Sequence, residues 1–177
     1  RILKERGFGG AAILDHNSVA GAREALNMHP EDFIVVPSIE VSSKDGHILA
    51  LNVTNPLKRG LEVLDTIDEI HAAGGFAVAA HPYRRWSGLG EKNILGRPFD
   101  SIEAHNARSD RRSNRKALVL AQNLRTPVTG GSDSHDNGSL GTGFTVVPDD
   151  CQTVEDIIKA ISQHRTKVGG EHRSSGN

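Results

Sequence analysis

The chain has 177 residues, a formal net charge of -1 and 36% hydrophobic content, which suffices for one well-buried core and is short for two. A charge so close to neutral argues against a surface devoted to nucleic acid, although a local basic groove remains open. The single cysteine, Cys151, cannot form an internal disulfide, and no apolar run reaches the about eighteen residues of a membrane span, so a cytoplasmic protein is expected.

The 19 glycines outnumber the aromatic residues (Phe 5, Tyr 1, Trp 1), which points to a loop-rich α/β protein rather than a helical bundle. Residues 1–7 read as the last turns of a helix ended by Gly7. No initiator methionine or signal peptide precedes them, so the chain is expected to begin within a domain. Gly10 to Leu14 is a short apolar run followed by Asp15-His16-Asn17-Ser18, the pattern of a buried strand entering a turn. A helix is expected from about Val19 to Met28, with Ser18 as a candidate cap. Asp15 and His16 in that turn are either a cap and a surface histidine or part of a site.

Phe33 to Val41 and His47 to Val53 flank the turn-forming segment Ser42 to Gly46. Five residues are too few for a parallel crossover, so the pair should be an antiparallel hairpin. Glu40 and His47 then lie close enough to share an ion. A glutamate within an apolar strand is costly unless it is paired or bound to a metal. The alternative is an edge position facing solvent.

Leu61 to Ala73 has helical spacing and ends at Gly74-Gly75, and Phe76 to Ala80 follows as a buried strand ending at His81. Pro82 keeps His81 out of a helical conformation. Residues 87–98 read as a glycine-rich loop with a short helix, long enough to fold over a site. Asp100 to Ala104 is a strand leading to His105, and residues 111–124 form a helix. Arg108, Arg111, Arg112 and Arg115 gather at its start, as a solvated face or as an anion site. Pro127-Val128-Thr129 runs into Gly130-Gly131-Ser132-Asp133-Ser134-His135. Gly143 to Val147 is a last strand, and Thr153 with Asp156 opens a final helix through Gln163 in capping-box style. One domain is expected over 1–168, and the polar residues 169–177 are expected to be disordered.

Residues able to bind metal thus stand at the C-terminal ends of separate strands: His16, His81, His105 and Asp133, with His135 just beyond. Active sites of alternating strand and helix barrels gather on that face. Asp133 offers a hard oxygen and His135 a borderline nitrogen, a mix that zinc, manganese or iron accepts for hydrolysis. No G-x-S-x-G elbow accompanies Ser134, which removes the serine-hydrolase reading.

Asp15-His16-Asn17, the hairpin with Glu40 and Gly46-His47, His81-Pro82-Tyr83, Ile102-Glu103-Ala104-His105-Asn106 and Gly131-Ser132-Asp133-Ser134-His135 resemble, in order, the motifs of the PHP (polymerase and histidinol phosphatase) family. The resemblance implies a distorted seven-stranded (β/α)7 TIM-like barrel, its first strand upstream of Arg1 together with an H-x-H motif. It implies two or three divalent ions (Mn, Zn or Fe) and hydrolysis of phosphate esters. By it, Glu40 would bridge two ions, His47 and His81 would complete one, Asp133 would serve the other, and His16 with His135 would hold a third. Such ions lower the pKa of a bound water and steady the leaving oxygen, so no protein nucleophile is required.

Arg84 and Arg108 are candidates to grip the substrate phosphate, and His105 is a candidate substrate contact. The expected substrate is a phosphorylated small molecule or nucleotide. A nuclease acting on short oligonucleotides and an inactive barrel serving as a scaffold are the competing readings.

Overall fold

The computed structural model describes residues 1–28 and 32–173. Six strands form one sheet in sequence order: β1 (Gly10–His16), β2 (Ile34–Ser42), β3 (His47–Leu51), β4 (Phe76–Ala79), β5 (Ser101–Asn106) and β6 (Val128–Gly131). The β1–β2, β4–β5 and β5–β6 pairs are parallel, whereas β3 runs antiparallel to both β2 and β4. The expected hairpin is therefore present, with Ser42 opposite His47 at its turn. No helix among the described residues is long and apolar enough to cross a membrane.

Alternation along the strands divides the core in two. Ile39, Val41, Ile48, Ala50, Ala77, Ala79 and Ile102 form one face. They are covered by α3 (Val63–Ala72), through Ile67 and Ile70, and by α4 (Arg111–Leu124), through Leu120 and Ala121. The opposite face presents Val36, Leu49, Leu51, Phe76 and Val78, and Ile161 of α5 (Val154–Ser162) packs on it. Glu40 and His47 have the parity of this second face, further along the same strands. One face of the sheet thus buries α5 at one end and carries polar side chains at the other.

Local chemistry explains the helix starts. Thr153 and Asp156 bond reciprocally as a capping box, and the Asp110 carboxylate accepts the Ser113 N–H to open α4. At α2 (Ala20–Asn27) two side chains receive the free N–H groups of the first turn. Ser18 Oγ accepts from Ala20 N–H, and Asp15 Oδ2 accepts from Gly21 N–H.

The α/β class holds and the sheet curls as a half-barrel. Six strands lie in an open order among the described residues, one fewer than the seven expected with a strand upstream of Arg1. The remaining strands pair separately as an antiparallel ribbon, β7 (Gly143–Val146) with β8 (Lys167–Gly170). The polar tail, expected to be disordered from Gly169, begins instead with a ladder: Gly169 lies opposite Phe144 and Gly170 opposite Gly143. Its composition hid this, because two glycines carry no apolar pattern and Phe144 supplies the packing. Residues 174–177 lie outside the described residues.

The ribbon is held to β6 by a reciprocal pair. Thr145 Oγ1 accepts the Gly130 N–H at 2.8 Å and donates to the Gly130 carbonyl at 2.9 Å. A Cβ at Gly143 would run into the carbonyl group of Gly131. Gly143→Ala is therefore expected to destabilise the protein by about 1–3 kcal/mol through forced separation of β7 from β6, read as a lowered urea midpoint. An unchanged midpoint would show that the ribbon is not docked this closely.

Candidate metal centre

Strand pairing builds the centre around Glu40. In the parallel β1–β2 ladder His16 is its direct partner. On the other side Leu49 is opposite Glu40, and His47, two residues before Leu49, shares its face. His81 follows β4 and is held with φ 26, a conformation that a non-glycine residue adopts at an energetic cost.

The carboxylate uses both oxygens. Oε1 lies 2.6 Å from His47 Nδ1 and 3.3 Å from His81 Nε2, while Oε2 lies 3.6 Å from His16 Nε2. Glu40 is 7% exposed, so the edge alternative is excluded. Burial by itself would raise its pKa. The close imidazoles of His47 and His81, with the charge of His16, outweigh that and hold the carboxyl below its ordinary range. Burial likewise opposes the His81 cation, but Glu40 and Glu103 together hold the His81 pKa above its usual value.

These side chains fit a divalent ion. Ligand atoms of His16, Glu40 and His47 all lie within 4.8 Å of one another, and donors on one ion about 2.0–2.2 Å away stand roughly 3–3.6 Å apart. His47 Nδ1 approaches Glu40 off its N–H axis. Among the described residues neither it nor the buried His81 Nδ1 has a hydrogen-bond partner. A buried imidazole nitrogen such as His81 Nδ1, left without a partner beside a buried carboxylate, is costly in a purely structural cluster.

A second group adjoins the first, with the His16 and His135 rings 6.3 Å apart. Asp133, held with φ 49, is its centre. Its Oδ2 pairs with the Arg84 guanidinium and accepts from Asn106 Nδ2 at 3.2 Å. Its Oδ1 faces Arg108 at 3.5 Å and His135 at 3.6 Å. Arg108 Nη1 also reaches His135 Nδ1 at 2.6 Å. The two arginines expected to grip substrate are thus gathered at the centre, against Asp133.

Two residues with no role expected from sequence complete the support. Glu103 Oε2 accepts the His81 N–H at 2.7 Å and Asn106 Nδ2 at 3.2 Å. Asn106 therefore bridges Glu103 to Asp133. The signal that marked Glu40, a glutamate within a buried strand, was equally present at Glu103. His105 stands apart. The β5–β6 register shifts between Glu103 and His105, and this bulge takes His105 off the face it would otherwise share with Glu103. Its ring lies 4.9 Å from that of His172, and its Nε2 lies beside Gly170 of β8. The structure thus sets the candidate substrate contact His105 beside His172 and β8. His16, expected to share an ion with His135, lies with Glu40 and His47 on one side and faces the His135 ring on the other.

Comparison with known proteins agrees with this architecture. Residues 111–166 match the family model described as PHP-associated. The uncharacterized protein MJ1587 of Methanocaldococcus jannaschii is 32% identical over 109 residues, covering 60% of this chain and 63% of that one. A two-domain protein of Bacteroides vulgatus containing a predicted PHP-like metal-dependent phosphoesterase superposes with a TM-score of 0.71 at 15% identity, over 93% of this chain and 57% of that one. The lesion-specific endonuclease Q of Pyrococcus furiosus superposes with a TM-score of 0.63 at 19% identity, over 94% and 52%. The chain spans less than two thirds of each of these proteins, and the structural likenesses are of fold. Residues 111–166 thus carry the PHP-associated sequence pattern, and the fold of the chain is that of PHP-like structures.

Burial pushes the Glu103 pKa up to about 7, and the Asp133 charge adds to the rise against the lowering by His81 and Asn106. A folded pKa above the ordinary carboxyl value means that the unfolded chain releases this proton first. The stability contribution is full below the unfolded pKa and is lost as pH rises through about 7. In chelator-treated protein, Glu103→Gln should therefore gain stability over the parent between about pH 5 and pH 8, measured by urea midpoints. A constant difference across that range would mean that Glu103 is ionised throughout.

Proposed function

We propose that the protein is a metal-dependent phosphoesterase that hydrolyses phosphate esters of a small molecule or nucleotide. The observation that carries this reading is Glu40, a buried carboxylate with His47 and His81 against one oxygen and His16 against the other. In this reading His16, Glu40, His47, His81, Asp133 and His135 hold two or three divalent ions, zinc, manganese or iron by donor chemistry. The ions would supply Lewis acidity toward the phosphoryl oxygens and activation of water. The protein's own part is positional. Glu40 keeps its charge despite burial and so fixes the spacing of the donors on either side of it. Glu103 holds the backbone of His81, and Asn106 holds Asp133. Arg84 and Arg108 match a phosphate's geometry with planar guanidinium groups. Their pairing with Asp133 stations both at the place where the substrate anion would arrive.

An oligonucleotide substrate is the second reading, and one feature favours it. Arg111, Arg112 and Arg115 are exposed on the first turns of α4, three residues beyond Arg108, and could follow a phosphate backbone. A steep loss of affinity with added salt would select this reading, and a shallow one the small ester.

The main reading is tested with protein purified without chelator, by elemental analysis and a screen of nucleotides and sugar phosphates. Glu40→Gln is expected to lose bound metal and to lower kcat/KM by at least about 10–100-fold, since removing even a supporting partner of a metal ligand costs that much. Arg84→Ala should raise KM by about tenfold or more while metal content falls little. Parent protein that holds no metal and is not activated by manganese or zinc would overturn the proposal in favour of a scaffold.

A further inference from the structure

The loop between β4 and the short helix Glu91–Asn93 is tightly knit. Arg84 N–H donates to the His81 carbonyl, Gly88 N–H to that of Arg84, and Gly90 N–H to that of Pro82. A Cβ at Gly88 would lie 2.6–2.7 Å from the carbonyl oxygens of Pro82, Arg84 and His81, so only glycine closes this turn. The loop is also tied to the centre at two points. Arg84 pairs with Asp133, and the Ser87 carbonyl accepts the His47 N–H at 3.1 Å.

Between these two anchors stands Trp86, 92% exposed and held with φ 76. Isolated exposed apolar residues are ordinary, but a bulky side chain at positive φ is strained. Among the described residues, the non-glycine residues at positive φ other than Asn and Asp are His81, Trp86, Arg125 and His164. Arg125 is the left-handed cap of α4, and His164 follows the last turn of α5, where such backbone is usual. His81 belongs to the centre. Trp86 is left as a residue whose strain serves no helix end and whose indole stands in solvent. The Arg85 guanidinium lies 5.1 Å from its ring centroid.

We infer that Trp86, flanked by Arg85 and anchored through Arg84 and Ser87, is a stacking platform for a planar aromatic ring on the alcohol side of the substrate, as in a nucleoside phosphate. The inference rests on the phosphoesterase reading for the reaction and adds which esters are preferred. A ring face presented to solvent stacks on any nucleobase, and a neighbouring guanidinium adds attraction to the π-system. The rigid loop presents that face without an ordering cost on binding. The platform suits equally the base of a free nucleotide and the terminal base of a strand.

Trp86 is the only tryptophan in the chain, so intrinsic indole emission reports on this residue alone. The full chain, with and without added manganese, is titrated with GMP, a short single-stranded oligonucleotide, ribose phosphate and inorganic phosphate. Emission should be that of a solvent-exposed indole and should be quenched by GMP or by the oligonucleotide, but not by the two phosphates that lack a ring. Stronger quenching by GMP identifies the free nucleotide as the source of the ring, and stronger quenching by the oligonucleotide identifies a strand end. In turnover, Trp86→Ala should lower the ratio of kcat/KM for GMP to that for ribose phosphate by roughly tenfold, and Trp86→Phe should restore most of it. Quenching by a base without hydrolysis of any ester would sink the phosphoesterase reading and leave the platform standing. Emission of a buried indole, insensitivity to all four probes, or an unmoved ratio in Trp86→Ala would overturn the platform.

Discussion

A carboxylate within the sheet, on the same strand face that further along buries α5, is the constraint on which the rest of the centre depends. Glu40 could not remain ionised at 7% exposure without compensation. Its neighbours supply that compensation from both sides, His16 through the parallel ladder and His47 through the hairpin, with His81 closing from the end of β4. His16 and His47 are fixed by backbone pairing, and His81 by its N–H bond to the Glu103 carboxylate. The relative positions of the donors therefore follow from strand register, and a one-residue slip of β2 against β1 or β3 would turn Glu40 to the opposite face.

Around this rigid half the second half is built on loops and hydrogen bonds. Asp133 lies two residues beyond β6 and takes its place through Arg84, Asn106 and Arg108. Glu103 connects the halves, since its one carboxylate oxygen accepts from the His81 backbone and from Asn106. The division has a chemical sense. Ligands for a cation are best held by rigid elements, whereas groups that meet an incoming phosphate gain from being able to exchange a carboxylate partner for it. On the proposed reading the two arginines paired with Asp133 are of that second kind.

Several features were legible in the sequence because they are local. The hairpin followed from a five-residue connection and the capping box of α5 from Thr153 and Asp156. His16, Glu40, His47 and His81 could be marked because polar residues at the ends of apolar strands carry a cost that needs an explanation. The failures were non-local. β8 was hidden because Lys167 to Gly170 has no apolar alternation and pairs only when β7 is beside it. His105 stood at a strand end as His16 and His81 do, and the register shift in β5 sets its ring beside His172.

The sequence by itself determined the residue types, their order along the chain and their position at strand ends, which is enough to select the family and the class of chemistry. The tertiary structure alone decided the partnerships. It set His16 against Glu40 and His47 with His135 adjoining, engaged Arg84 and Arg108 with Asp133, and gave Glu103 and Asn106 their supporting places. The reason is physical. Periodicity and capping act over a few residues and are written into adjacent side chains, whereas the distance between two side chains on different strands depends on register, bulges and sheet curvature, which no single segment encodes.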